Sequence, residues 1–401
     1  MNILFLSGWF PYPPNNGSKL RIYHLLRGLA SKHSITLLCL SDGTEEEADL
    51  AHLRNLCCKV QLVRRKEYAP NQWRARLGFF SPTPRSIVDT FSTEMKDAVE
   101  HAMRTQRIDL IIASQLGTAA YARYFGDIPA LFEEVEVGVF HGLYVGATTL
   151  RSRLRHGLTW LKYRRYLAHL LPRFGACTVV SSEEKALLAE VAPLYSTVHV
   201  VPNCVRVADY PSATAPQSNQ LIFTGSFRYW PNYEAMHWFV TGAYPRIRAK
   251  IPNATLVITG DQAGHSLPMS DGVIGTGFVD DVRPLLANAS VSVVPILSGG
   301  GTRLKILEAM ATGTPVVTTS KGAEGLDIRH EEHVLKADTP KQFADAVLRV
   351  LCDSQLRQRL VANAQAKVRQ TYDWDAAIPR FVELVEQTAA RQFSSAAITG
   401  W

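Results

Sequence analysis

The chain has 401 residues, more than one hydrophobic core ordinarily organises, so two domains of roughly 150–200 residues each are expected. Apolar residues make up 46% and charged residues 20%, a globular composition that excludes a disordered chain and a coiled coil. The formal net charge of +7 fits either a plain basic soluble protein or one with anionic partners such as nucleotides, phosphates or acidic lipid headgroups.

The opening stretch "MNILFLSGWFPYPP" has no basic n-region and no small-residue cleavage site, so it reads as a first strand rather than a signal peptide. "GSKLRIYHLLRGLASKH" follows with helical spacing of Leu20, Tyr23, Leu26 and Leu29. "SITLLCLS" is a strand, "STEMKDAVEHAMRTQ" a helix, and "IDLIIAS" and "PALFEEVEV" are strands. Between them, "RRKEYAPNQWRARLGFFSPTPR" (64–85) reads as a basic loop carrying Trp73, Leu77, Phe79 and Phe80. A long helix runs from about Thr149 to Leu171. Its Leu154, Leu158, Leu161, Ala168 and Leu171 form an apolar stripe among many arginines. That stripe suits a core contact or an anionic membrane surface, as the exposed aromatics of 64–85 suit a membrane interface. "GACTVVSS", "SEEKALLAEVA" and "STVHVVPNCV" then give strand, helix and strand.

Residues 207–219, "VADYPSATAPQSN", are poor in large apolar side chains and read as the entry to a second domain. Strand and helix signals then alternate again, from "QLIFTGSF" and the single helix "NYEAMHWFVTGAYPRIRAK" to "VSVVPIL", "TRLKILEAMATG" and "TPVVTTS". The expected domains are 1–205 and 206–374, both α/β with doubly wound parallel sheets. A last helix, 375–401, packs back on the first domain. Ligands of such sheets sit outside the carboxyl ends of the strands, and two halves in tandem leave a cleft between them.

The six cysteines show no CxxC spacing and read as reduced core residues, with no zinc site. No run reaches the ~18 apolar residues of a membrane-spanning helix.

The stretch "SGGGTRLKILEAMATGTPVV" carries the chemistry. Its glycines lie at the end of a strand, where backbone can approach a ligand closely. A helix begins near Thr302, and its first turn aims N–H groups at the same spot. Arg303 and Lys305 stand in that turn, where a cation costs a few tenths of a kcal/mol, roughly, against the helix dipole. A bound anion reverses that cost. The pattern reads as a phosphate site, with a flexible loop and two solvated bases as the alternative. Glu308, a lone carboxylate in "LKILEAM", needs hydrogen-bond donors: ribose hydroxyls or a backbone cap.

With "VVPNCV", "IFTGSFRYWPNYEAMHWF", "LVITGD", "GFVDDVRPLLANASVSVVPIL", "GGGTRLKILEAMATGTPVVTT" and "GAEGL" in order, the second half resembles the donor domain of family 4 retaining glycosyltransferases, which have the GT-B fold: two Rossmann-like domains facing across a cleft. It resembles the "GGGTR-K" subgroup, and the first half matches more weakly, through "MNILFLSGWFPYPPNNGSKLRIYHLLRGLA" and "VVSSEEKALL". The resemblance implies transfer of a sugar from a UDP- or GDP-sugar to a glycan or lipid-linked acceptor, in bacterial surface or exopolysaccharide synthesis. It places Glu308 at the ribose, and Gly225 and Gly17 near the diphosphate. Phe278 and Val279 fall beside the base, and Gly300, Gly301 and Thr302 in the donor loop. Arg303 and Lys305 become the cations that stabilise the leaving diphosphate.

Two positions depart from the family pattern. Gly300 stands where the first glutamate of a pair is usual, and Ser226 and Pro231 where an arginine and a lysine are usual. No DxD-like site stands out, so neither cofactor nor metal is expected. Glu133, Glu134 and Glu136 end a first-domain strand, as acceptor contacts or as solvated charges. His141 is an acid/base candidate or a structural histidine, and Arg21 a further phosphate candidate. Arg228, Trp230 and Asn203 are weaker still.

A dinucleotide oxidoreductase is excluded, because "SGWFPYPPNNGSK" has neither the length nor the spacing of GxGxxG. Nucleic acid would rest on charge alone. A non-catalytic partner subunit of the same fold is the competing reading. The location expected is cytoplasmic, at the inner face of the plasma membrane if the basic aromatic stretches bind lipid.

Overall fold

The computed structural model describes residues 1–211, 219–261, 264 and 266–390. The middle of the expected interdomain stretch (212–218) and the end of the expected last helix (391–401) lie outside the described residues. The chain divides into two compact units, Met1–Pro202 with the chain from Ile378 onward, and Asn203–Ala377.

In chain order the first unit contains β1 (Asn2–Ser7), α1 (Gly17–Ala30), β2 (Ser34–Ser41), α2 (Glu47–Leu56), β3 (Lys59–Arg64), α3 (Trp73–Leu77), α4 (Arg85–Thr90) and α5 (Thr93–Thr105). It continues with β4 (Leu110–Ser114), α6 (Gln115–Ala119), β5 (Ala130–Glu133), α7 (Gly138–Val145), α8 (Leu150–Leu170), β6 (Ala176–Val179), α9 (Ser182–Val191) and β7 (Val198–Val200). The strands form one parallel sheet in the order β3-β2-β1-β4-β5-β6-β7. β4 is buried along its whole length, and β1 beyond Asn2, as strands covered on both faces must be. Side-chain caps start the helices: Asn16 accepts from the N–H of Lys19, Ser92 from Met95 and Ser181 from Glu184.

The second unit contains β8 (Gln220–Thr224), α10 (Trp230–Trp238), α11 (Tyr244–Lys250), β9 (Thr255–Thr259), β10 (Val273–Gly277), α12 (Arg283–Asn288) and β11 (Val291–Val294). α13 (Leu304–Thr312), β12 (Val316–Thr318), β13 (Leu335–Lys336), α14 (Pro340–Cys352), α15 (Ser354–Thr371) and α16 (Trp374–Ala390) follow, α16 running on past the unit boundary. Its parallel sheet has the order β10-β9-β8-β11-β12-β13. In the first unit the distal part of α16 lies against α1, where a Cβ on Gly28 would collide with Ile378.

Several readings of the sequence are corrected. The single helix expected over "NYEAMHWFVTGAYPRIRAK" is broken by a π-helical turn at Phe239–Ala243, ahead of Pro245, which has no N–H to donate. The 64–85 stretch is not all loop, since α3 lies within it. Cys58 and Cys352 are exposed rather than core residues. The apolar stripe of α8 is split. Leu154, Leu158 and Leu161 are exposed, and the helix buries Trp160, Tyr163, Leu167 and Leu170 instead. Among the described residues no helix is long and apolar enough to cross a membrane.

Candidate active site

Strand order reverses between β8 and β11 in the second unit, and the loops leaving those two strands meet there. That is where an open α/β sheet binds ligands. Gly225 follows β8 with φ +153, a conformation that disfavours any side chain. A Cβ there would lie 2.6 Å from Lys305 Nζ and 2.8 Å from Asn232 Nδ2. The space beside Gly225 therefore holds the Lys305 ammonium and the Asn232 amide. Lys305 Nζ donates to Asn232 Oδ1 at 2.9 Å and stands 4.0 Å above the Phe223 ring. Burial, with a smaller push from Arg303, lowers its pKa to about 7.

Arg303 is placed differently from the expectation. It occupies the N-cap position of α13, which starts at Leu304 rather than Thr302, and its side chain is buried. Its Nη1 donates to Gly300 O at 2.5 Å and its Nη2 to Gly299 O at 3.0 Å. The guanidinium thus clasps the glycine loop from inside. Gly299 and Gly301 both have positive φ, and the Tyr229 hydroxyl bonds the N–H and the carbonyl of Gly300. Of the two expected phosphate cations, Lys305 lies beside Gly225, while Arg303 organises the loop.

Glu308 is half-buried one turn along α13 from Lys305, and burial raises its pKa. Its donor in the structure is the Tyr210 hydroxyl at 3.3 Å, not a backbone cap. Asn203 donates to Thr302 Oγ1 at 3.1 Å, and Ser298 to Glu234 Oε2 at 2.6 Å. Phe278 is exposed and Val279 half-buried just after β10, whose end is tied to β9 by the bond from Gly260 N–H to Gly277 O. Arg228 pairs with Asp261, and Trp230 begins α10 exposed. Sequence reasoning missed Tyr210, Asn232 and Glu234. None carries a local signal, because each reaches the site only through the packing of distant segments.

The first unit has its own reversal, between β1 and β4. Gly17 opens α1 at the end of the long loop after β1. Two non-glycine residues there hold positive φ: Gln115 at 68° after β4 and Glu134 at 58° after β5. Such a conformation costs roughly 1–3 kcal/mol for each residue, and strained residues of this kind gather at functional sites. The two are bonded to each other, Gln115 Nε2 to Glu134 Oε2 at 2.9 Å. Gln115 Oε1 accepts from Trp9 Nε1 at 3.1 Å.

Arg21 is buried and donates from Nε to Glu133 at 2.5 Å, so it is a strut of this cluster rather than an exposed phosphate ligand. Glu133 and Glu134 are buried, which removes the solvated-charge reading for both. Burial pushes the Glu134 carboxyl up to about 8. Glu136 is exposed, with its backbone carbonyl bonded by the Tyr163 hydroxyl. His141 sits half-buried in α7 with its ring centre 5.3 Å from that of Trp160.

Family profiles match both units: residues 15–209 as "Glycosyltransferase Family 4" and residues 218–353 as "Glycosyl transferases group 1". The chain belongs to glycosyltransferase family 4. This glycosyltransferase is 20% identical, over 96% of that protein and 92% of its own length, to an uncharacterized 44.6 kDa protein in the cps region of Klebsiella pneumoniae. It is 29% identical to the phosphatidyl-myo-inositol mannosyltransferase of Mycobacterium tuberculosis, over 54% of that enzyme and 47% of its own length. The chain therefore spans about half of that relative.

The GT-B fold is shared with sucrose-phosphate synthase from Thermosynechococcus elongatus (TM-score 0.68, 16% identity, 96% and 99% of the two chains). It is shared also with Anabaena HepE, solved with UDP and glucose (TM-score 0.63, 15% identity, 96% and 99%). Among the described residues, no group of three or more His, Cys, Asp or Glu side chains is arranged to hold a metal ion.

Proposed function

We propose that this glycosyltransferase moves a sugar from a UDP- or GDP-sugar, with retention of anomeric configuration, to a glycan or lipid-linked acceptor in the cytoplasm, for bacterial cell-surface or exopolysaccharide synthesis. The observation that carries the reading is the Lys305 ammonium at the β8–β11 reversal, beside Gly225 and at the N-terminus of α13. As the glycosidic bond breaks, negative charge grows on the leaving diphosphate. A cation and helix N–H groups already in place stabilise that charge more than the ground state. Glu308 takes the ribose hydroxyls, and Phe278 and Val279 flank the base. In the first unit, the Gln115–Glu134 pair contacts the acceptor. No metal is required, because the chain's own groups meet the diphosphate charge.

The relatives support the substrate side of this reading. One is encoded in a cps region, one is named for transfer to a phosphatidyl-inositol, and one structural neighbour was solved with UDP and glucose. Gly300, standing where the first glutamate of the family pair is usual, favours the second reading, a catalytically silent partner subunit.

Thermal stabilisation by UDP, GDP, CMP and ADP, with and without EDTA, separates the two. A ligand at a hundredfold excess over its dissociation constant adds ~2.7 kcal/mol to the native state. One nucleoside diphosphate is expected to raise the melting midpoint of the wild type equally in EDTA, and to lose most of that shift in Lys305→Met. If none of the four shifts the wild type, the donor site fails and the partner-subunit reading replaces it.

A further inference from the structure

The charge of the chain is unevenly placed. Residues 69–88 and 137–182 together hold ten Lys and Arg and no Asp or Glu, so the remainder, with 33 bases against 36 acids, is net −3. Apart from Leu194, those two acid-free stretches also carry the most exposed large apolar side chains of the first unit. Phe80 is 91% exposed, Leu150 76%, Trp73 69% and Leu154 68%. Helix α8 has two apolar stripes. Trp160, Tyr163, Leu167 and Leu170 face the core, while Leu150, Leu154, Leu158 and Leu161 follow one another at helical spacing on the solvent side.

The two stretches make one surface. The Lys162 ammonium on α8 donates to the carbonyls of Gly78 (3.1 Å), Phe79 (2.6 Å) and Ser81 (3.1 Å), which holds the turn after α3 against the helix. Arg85 braces the same turn, with its guanidinium 3.8 Å from the Phe79 ring centre and its Nε bonded to Ala75 O. A short helix and a well-bonded turn that keep Trp73 and Phe80 in water have no folding reason to do so.

We infer that this surface, α8 with the turn after α3, docks on an anionic lipid bilayer. The leucine stripe and the two aromatic tips enter the headgroup boundary, and the flanking arginines lie among the phosphates. Charge argues against a second copy as the occupant, because two such faces would set arginines against arginines with no acid on either. Aliphatic leucines argue against single-stranded nucleic acid, which needs aromatic platforms along its path. The inference stands on exposure and charge and does not depend on the donor chemistry.

The test is flotation of the full-length protein with phosphatidylcholine vesicles, with and without one-third phosphatidylglycerol, at physiological salt. Binding to the anionic vesicles and not to the neutral ones is expected. Trp73→Ser/Phe80→Ser and Leu154→Ser/Leu158→Ser are each expected to weaken it at least tenfold, with an unchanged melting midpoint because all four side chains are exposed. Arg153→Glu/Arg155→Glu is expected to weaken it similarly.

The inference is overturned if the wild type does not float with anionic vesicles. It is overturned equally if the two apolar double variants bind as tightly as the wild type. A wild-type dimer in light scattering that the apolar variants dissociate would assign the face to a second copy. Binding to an RNA oligonucleotide without any vesicle binding would assign it to nucleic acid.

Discussion

Replacing Lys305 by methionine removes one charge from a place where the protein holds it at a cost. Among the described residues the side chain has one protein hydrogen bond, to Asn232, and an aromatic ring beneath it. Its pKa falls from 10.5 to about 7. A tenfold change in a protonation equilibrium is worth about 1.36 kcal/mol, so the charged form is disfavoured by an amount on the order of a few kcal/mol. The folded state binds fewer protons than the unfolded state between pH 7 and 10.5, and wild-type stability therefore rises through that window. Lys305→Met lacks the penalty. It should be more stable than the wild type at pH 6, with the advantage shrinking as pH rises from 7 towards 10.5.

Donor binding reverses the effect, because a diphosphate restores the ammonium. With a free-state pKa near 7, binding at pH 8 should take up about 0.9 proton per ligand. Affinity should fall about fivefold between pH 7 and 8, and up to about tenfold for each further pH step of one. Calorimetry with UDP-glucose and GDP-mannose, run in two buffers of different ionisation enthalpy, measures the uptake directly. The diphosphate diester of a nucleotide sugar does not itself titrate near pH 8. Lys305→Met should show no uptake and bind ten- to a hundredfold more weakly at pH 6, the worth of about 1.5–3 kcal/mol for a hydrogen bond to a charged group. Tight binding by the wild type at pH 8 with zero proton uptake would refute the assignment of Lys305 to the diphosphate.

Gly225→Ala should cost about 1–3 kcal/mol of stability, since its φ of +153 and the nearness of Lys305 Nζ both oppose a methyl group. Chemical denaturation measures that, and donor affinity should fall with it. Arg303→Lys keeps the charge but cannot span the carbonyls of Gly299 and Gly300. Greater proteolytic nicking of the 298–301 loop is expected, with the rest of the chain equally resistant. Glu134 is raised from 4.5 to about 8, so the folded state binds more protons than the unfolded state between those values and stability falls as pH rises through them. Glu134→Gln, which mimics the protonated form, should match the wild type at pH 4.5–5 and exceed it at pH 8.5 in thermal melts.

The local sequence was enough for the two parallel sheets. Buried runs such as "LIIAS" and "LIFT" have no polar alternation, and only a sheet covered on both faces takes such strands. The same holds for the glycine loop, since consecutive glycines ahead of a basic helix start announce backbone that a ligand can approach. Short edge elements such as β3 and α7 escaped, because half-exposed strands and five- to eight-residue helices carry too few periodic positions.

Roles inside the site were not legible either. "TRLK" offers two equivalent cations. Only the fold shows that the arginine turns back onto the carbonyls of its own loop while the lysine lies across Phe223 beside Gly225. Gln115 and Glu134 look ordinary in a sequence, and it is the ends of β4 and β5 that force them into positive φ and onto each other. Hydrophobic pattern is a property of neighbours along the chain, so the sequence determined the strands, the helices and the likeness to family 4. Burial and charge pairing belong to neighbours in space, and those only the tertiary structure decided.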